Sequence, residues 1–309
     1  MAIDDENESI LLSLGWFRSG TTHLYEHLKA SLPDWTHYYE PFHPNLGGIT
    51  SQYEQLTAEK TEKDVKLKEP THNKILFDEY CQNPGPVKKY HRPEFGKCNF
   101  FLGGGAEYPE LRKYLNELVG DRKNHLQINR GLGRLQYLFT VLPTAKFLLI
   151  IRDPRATWAS WQNQPDNPLA ADLEANKFQI KQMLKELRNY LTDEDWTNWG
   201  FSWAKRKPPV AEFLITWSFL YTTALNHLQK AQYYSVITFE ALVTSSAAVK
   251  EKLAGTLGLP LKPATGPSSY STPNKKWRRA ANPEDYRKLF ADAPDDLPLF
   301  SLLKQFGWY

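Results

Sequence analysis

The stretch Ile10-Leu11-Leu12-Ser13-Leu14-Gly15-Trp16-Phe17-Arg18-Ser19-Gly20-Thr21-Thr22 decides the fold of this chain. Residues 9–14 read as a short buried strand of a parallel sheet, because the run is apolar and barely alternates. Two glycines five residues apart follow. From Thr22 to Ala30 the pattern turns helical, with Leu24, Tyr25 and Leu28 on an inner face. Gly15 and Gly20 let the backbone turn tightly and approach an anion. The amides of Ser19 to Thr22 then stand at a helix N-terminus, where an anion gains about 0.3–2 kcal/mol from the helix dipole. This is the spacing of a phosphate-binding loop, yet the lysine expected after the second glycine is Thr21. The cation lies inside the loop instead, at Arg18. A phosphate is expected there, but not a Mg-bound γ-phosphate held in the usual way.

Further along, Lys146-Phe147-Leu148-Leu149-Ile150-Ile151 reads as a second strong strand, ending in Arg152-Asp153-Pro154-Arg155. A helix is expected over Ala156 to Gln162, with Asp153 as its N-cap and Pro154 in its first turn. Strands are also expected at Trp35 to Tyr39, His125 to Asn129 and Tyr234 to Phe239, with a helix from Gly133 to Val141. Strands alternating with helices predict an α/β fold: a P-loop-type central parallel sheet flanked by helices. Ligands of such sheets bind at the carboxyl ends of strands. Arg18, Asn129, Arg130, Arg152 and Glu240 all follow strands in that sense. The rhythm breaks at 41–122 and 161–209, read as insertions of a single domain spanning 1–309. The second is read as a helical insertion over the active-site edge, with a long helical pattern at 170–191.

Composition narrows the function classes. A chain of 309 residues with 41% hydrophobic residues can bury one sizeable core. A net charge of +3 is too small to point to nucleic acid as a partner. Cys81 and Cys98 form neither a metal-binding pair nor a disulfide framework, so free thiols are expected. The acidic start, Met1 to Ser9, lacks the features of a signal peptide, and no apolar run reaches the roughly 20 residues of a membrane span. A cytoplasmic protein is expected. His23 and His27 share a helix face without an evident third ligand, so no metal is expected.

With both anion-binding elements in view, the chain resembles the sulfotransferases that use 3′-phosphoadenosine 5′-phosphosulfate (PAPS). Their 5′-phosphosulfate loop reads Pro-[Lys/Arg]-Ser-Gly-Thr-[Thr/Ser]. Here Phe17-Arg18-Ser19-Gly20-Thr21-Thr22 matches it apart from Phe17 in the proline position. Their 3′-phosphate element is a strand, Arg-Asp-Pro-Arg, and a serine eight residues after the first arginine; here Ser160 stands at that spacing from Arg152. The resemblance covers roughly residues 9–45 and 125–290. It implies that Arg18, Ser19, Gly20, Thr21 and Thr22 hold the 5′-phosphosulfate, and that Arg152 and Ser160 take the 3′-phosphate. The basic cluster Lys275 to Arg279, with Arg278, resembles the family's late loop that closes over the nucleotide.

The implied reaction moves a sulfuryl group from PAPS to a hydroxyl by in-line transfer, leaving 3′,5′-ADP and needing no metal. Arg18 is placed to stabilise charge on the bridging oxygen. The hydroxyl must lose a proton. Glu40 is the best candidate base, in His37-Tyr38-Tyr39-Glu40-Pro41-Phe42-His43, where apolar neighbours raise its pKa. His43 is the rival. The acceptor is expected to be a small-molecule, lipid or carbohydrate hydroxyl; the sequence assigns neither its identity nor an oligomeric state. Six tryptophans between 158 and 217 are read either as an acceptor-cleft lining or as core packing. Two other readings remain at this point: a P-loop kinase or NTPase, which lacks its lysine here, and a non-catalytic nucleotide-binding protein.

Overall fold

A computed structural model describes residues 10–51, 77–162, 181–261 and 283–308. Within them, five strands form one all-parallel sheet in the order β2-β3-β1-β4-β5. The strands are β1 (Ile10–Leu14), β2 (Thr36–Tyr39), β3 (Asn124–Ile128), β4 (Lys146–Ile151) and β5 (Tyr234–Thr238). Each expected strand is present within a residue or so of its expected limits. Phe239 is the exception in kind: it opens a helix, because the Thr238 hydroxyl accepts from the Ala241 amide and caps it.

The apolar runs are continuous because both sheet faces are covered. Ile10, Leu12, Leu14, Phe147, Leu149 and Ile151 face one core, while Leu11, Leu148 and Ile150 face the other. The second face is covered by α1 (Thr21–Ser31), through Leu24 and Leu28. The first face meets α2 (Pro109–Val119), α3 (Leu135–Val141) and α4 (Pro154–Gln162), and also the long α5 (Pro209–Leu228). From β5 the chain passes into α6 (Phe239–Thr244) and then α7 (Ser246–Leu257), which adds Leu253 and Leu257 to the second core. Pro154 is the first residue of α4, and the Asp153 carboxylate accepts from the Arg155 amide at 2.9 Å, as the sequence predicts for a cap.

The strand order places the site. From β1 the chain moves to β2, returns through β3 beside β1, then crosses to β4 on the other side. The crevice at the carboxyl end of β1 is therefore a topological switch point, the usual ligand position in an open α/β sheet. The 41–122 insertion contains short helices at Asp78–Gln82, Gly85–Tyr90 and Glu94–Lys97 before α2. The 161–209 insertion supplies a helix over 181–190 and short helices at Asp193–Asn198 and Phe201–Ala204. The first half of the long helical pattern at 170–191, and the Lys275 to Arg279 cluster with Arg278, lie outside the described residues.

Candidate active site

The loop after β1 is built for close approach. Gly20 has φ +94°, and a Cβ there would lie 2.1 Å from the Phe239 ring, so only glycine fits. A Cβ on Gly15 would meet Ile150, Ser19 and Thr21, all within 2.8 Å. Gly20 is the N-cap of α1 and no side chain caps that end. The first-turn amides of an uncapped helix have no intrahelical acceptor and suit an anion. The fully buried Ser19 donates its hydroxyl to the Trp16 carbonyl at 2.6 Å and fixes the loop from within. Thr22 Oγ1 shares a 2.7 Å hydrogen bond with the Tyr39 hydroxyl, tying the loop to β2.

Arg18, Arg152 and Ser160 come together in space although 134 and 142 residues separate Arg18 from the other two. Arg18 Nε donates to Ser160 Oγ at 3.3 Å, and Arg152 Nη1 donates to the Arg18 carbonyl at 2.9 Å. Among the described residues neither guanidinium forms an ion pair. Arg152 Nε is buried without a hydrogen-bond partner. The Arg18 side chain reaches solvent at the mouth of the site, yet the protein packed around it lowers its pKa. Burial also lowers that of Arg152, with nearby Glu240 acting in the opposite direction. Among the described residues these two adjacent cations have no carboxylate within ion-pair distance, and with the uncapped helix end beside them they suit a multiply charged anion.

Glu40 and His43 lie on the other side of β1. Glu40 is 2% exposed and its backbone is left-handed, with φ +50°. Its Oε1 accepts from the Asn129 amide and its Oε2 pairs with Arg130 Nη1. Burial raises the Glu40 pKa, against the opposing pull of Arg130 and the Asn129 amide. Burial, with Arg130 and His91 nearby, pushes His43 down to about 3. Among the described residues the only non-glycine positions with positive φ are Arg18, Glu40 and Asn99. Such residues cost about 1–3 kcal/mol each and cluster where structure serves a site.

A family model described as "Sulfotransferase family" matches residues 11–263. The chain belongs to the sulfotransferase family. Among solved structures it is similar to a sulfotransferase from Alicyclobacillus acidocaldarius, at 16% identity over 94% of this chain and 93% of that chain, with a TM-score of 0.40. It is also similar to the sulfotransferase domain from the curacin biosynthetic pathway, at 15% identity over 97% and 98% of the two chains, TM-score 0.44. A third is the sulfotransferase domain from the Synechococcus PCC 7002 olefin synthase, at 14% identity over 100% and 98%, TM-score 0.42. No curated protein matches the chain significantly.

Several residues that shape this sulfotransferase's site carry no local sequence signal. Tyr221 of α5 accepts from the Trp16 amide at 2.9 Å and donates to the Ile150 carbonyl at 3.1 Å, joining the loop to β4. Phe239 packs under Gly20, and Arg152 stacks on it with its guanidinium carbon 4.6 Å from the ring centre. A shallow recess, partly open to solvent and with an interior of only about 20 Å³, lies beside Phe17. None of the six tryptophans from 158 to 217 lines it. They pack instead: Trp196 on Phe201 at 4.3 Å and Trp199 on Phe219 at 4.9 Å are examples. Among the described residues no helix is long and apolar enough to cross a membrane, and no group of His, Cys, Asp or Glu forms a metal cluster.

Proposed function

We propose that this sulfotransferase moves a sulfuryl group from PAPS to the hydroxyl of a small acceptor. The observation that carries this reading is the patch of Arg18 and Arg152, without a carboxylate partner among the described residues, beside the uncapped start of α1. The loop amides, with Ser19, Gly20, Thr21 and Thr22, hold the 5′-phosphosulfate end; Arg152 and Ser160 hold the 3′-phosphate. PAPS supplies the activated sulfur. Arg18 stabilises the charge that develops on the bridging oxygen as the sulfur–oxygen bond to it breaks and the bond to the acceptor oxygen forms.

Of the two base candidates, Glu40 is the stronger. A base must hold its proton near the working pH, and burial moves Glu40 toward that range while it moves His43 away, to about 3. To take the acceptor's proton, Glu40 must turn an oxygen out from Asn129 or Arg130, which its carboxylate contacts here, to within hydrogen-bond reach of the hydroxyl.

Calorimetry with 3′,5′-ADP and transfer of labelled sulfate from PAPS test the reading together. Stoichiometric binding of 3′,5′-ADP and label appearing in a hydroxyl compound are the expected outcomes. No binding of 3′,5′-ADP removes the donor assignment; binding without transfer to any hydroxyl leaves a nucleotide-binding protein.

A further inference from the structure

Thr22 has a partner that the transfer reaction leaves without a task. In a loop of this spacing, the hydroxyl two residues after the second glycine ordinarily faces a bound Mg²⁺. Here that hydroxyl faces a phenol: Thr22 Oγ1 and the Tyr39 hydroxyl share a 2.7 Å hydrogen bond. We infer that Tyr39 is a positioning residue: its phenol orients the Thr22 hydroxyl toward the 5′ end of the donor, and so serves the 5′-phosphosulfate and not the 3′-phosphate. The inference rests on the donor reading given above, which puts Thr22 at that end.

The direction of the hydrogen bonds follows from counting protons. A threonine hydroxyl has one proton and can accept as well. A deprotonated anion only accepts, so Thr22 gives its one proton to the anion. The phenol must then be the donor of the Tyr39–Thr22 bond, and the chain runs from Tyr39 through Thr22 to the ligand. Each link of such a chain polarises the next. Threonine in a helix also divides between two rotamers, and the phenol selects the one that faces β2. Burial pushes the Tyr39 phenol up to about 12, with Glu40 acting in the same direction and Arg18 and Arg130 against it. The phenol keeps its proton near neutral pH and can donate it.

Tyr39 is itself firmly held. As the last residue of β2 it is in register with Gln127 of β3. Its ring meets those of Tyr25 and Phe77 edge-on, with centroids 5.1 and 5.6 Å away. Its carbonyl accepts from the Tyr80 hydroxyl at 3.1 Å. A side chain locked by packing in this way can hold a second group to one direction. The next residue, Glu40, is left-handed and sends its carboxylate to Asn129 and Arg130. Two adjacent residues at one strand end therefore reach different places: the phenol the loop after β1, the carboxylate the end of β3.

The test is calorimetry on the purified full chain with three probes: 3′,5′-ADP, 3′-AMP, which lacks the 5′ group, and pyrophosphate, which lacks the nucleoside. Tyr39→Phe keeps the ring and removes only the hydroxyl. It is expected to weaken 3′,5′-ADP by about three- to tenfold, the contribution of one hydrogen bond, and to leave 3′-AMP unchanged. Thr22→Val is expected to weaken 3′,5′-ADP by about tenfold or more. Adding Tyr39→Phe to Thr22→Val is expected to change the affinity by less than about twofold further, because the phenol acts through a hydroxyl that is gone. Thr22→Ser, which keeps the hydroxyl, is expected to retain the response to Tyr39→Phe. An equal loss with 3′-AMP, or losses that multiply in the double variant, overturns the positioning role. Tight 3′,5′-ADP binding that Tyr39→Phe leaves unchanged also overturns it and keeps the donor reading. A parent protein that binds pyrophosphate, more weakly in Tyr39→Phe, but not 3′,5′-ADP keeps the Tyr39–Thr22 chain and sinks the donor reading. Binding of neither overturns both.

Discussion

The two sides of the β1 crevice treat positive charge in opposite ways. On the β4 side, Arg18 and Arg152 stand together without a described carboxylate within ion-pair distance. On the β3 side, Arg130 is buried against Glu40, and Arg134 is spread over backbone carbonyls and the Phe42 and Phe100 rings. The first arrangement leaves charge for a ligand to complete. The second meets its charge mostly within the protein: Arg130 on the Glu40 carboxylate and Arg134 on backbone carbonyls, with Arg134 Nη1 left without a hydrogen-bond partner among the described residues. The proposed transfer from a highly anionic donor to a hydroxyl draws on the first of these arrangements for the donor.

The sharpest way to break this contrast is to open the closed side. Removing one partner of a buried ion pair costs about 3–5 kcal/mol, because the other charge is left uncompensated. Glu40→Gln is expected to lose that order of stability in denaturant titrations, and to lower turnover by about 10²–10⁴ if Glu40 is the base. His43→Ala is expected to leave most of the turnover. Pairing Glu40→Gln with Arg130→Gln should restore stability but not turnover. Recovery of both makes Glu40 a tether rather than a base.

Next in size is the open side. Arg18→Ala is expected to lower kcat by about 10²–10³ with the melting temperature unchanged, since Arg18 forms no ion pair among the described residues and is solvent-accessible. Turnover near that of the parent protein removes Arg18 from the reacting centre. Arg152→Ala is expected to weaken 3′,5′-ADP by roughly tenfold to a hundredfold, the loss of one charge-assisted contact. An unchanged calorimetric affinity takes Arg152 out of the nucleotide site.

The smallest effect is a pH dependence of stability on the closed side. Ser13, His125 and His37 form a buried chain from β1 through β3 to β2, with contacts of 2.7 and 3.0 Å, ending on the Leu32 carbonyl at 2.8 Å. The chain works with both rings neutral. Burial pushes His37 down to about 4 and His125 well below its usual value. The unfolded chain takes up protons as pH falls through about 6.5, and the folded chain does not, so stability present above that pH is lost toward pH 4. Each such histidine is expected to cost about 0.7 kcal/mol between pH 7 and pH 6, read as a falling midpoint in urea. A flat midpoint over that interval shows that the chain accommodates a charge.

Much of the open side is legible in the sequence. Gly15, Arg18, Gly20 and the two threonines are contiguous, and β1 and β4 are runs of apolar residues that declare themselves without partners. The cap at Asp153 and the proline that follows it are equally local. The closed side is not legible in this way. Glu40 stands out as a carboxylate among aromatic residues, but nothing nearby indicates that Arg130, 90 positions later, engages it. Tyr221 and Phe239 act on the site from α5 and α6, and each looks like an ordinary residue of its own segment. The tryptophan-rich run shows the converse: a conspicuous composition that packing absorbs into the core.

The sequence by itself determined the strands, the anion-binding loop, the order of its two basic elements and so the family, because all of these depend on periodicity and spacing within a few residues. The tertiary structure alone decided that β3 inserts between β2 and β1, which cations meet a carboxylate and which do not, and where an apolar recess opens beside the loop. Those outcomes depend on which strand ends become neighbours. Neighbours in a parallel sheet are separated by whole crossover segments of chain, so their pairing is a property of the packed core rather than of any stretch of residues.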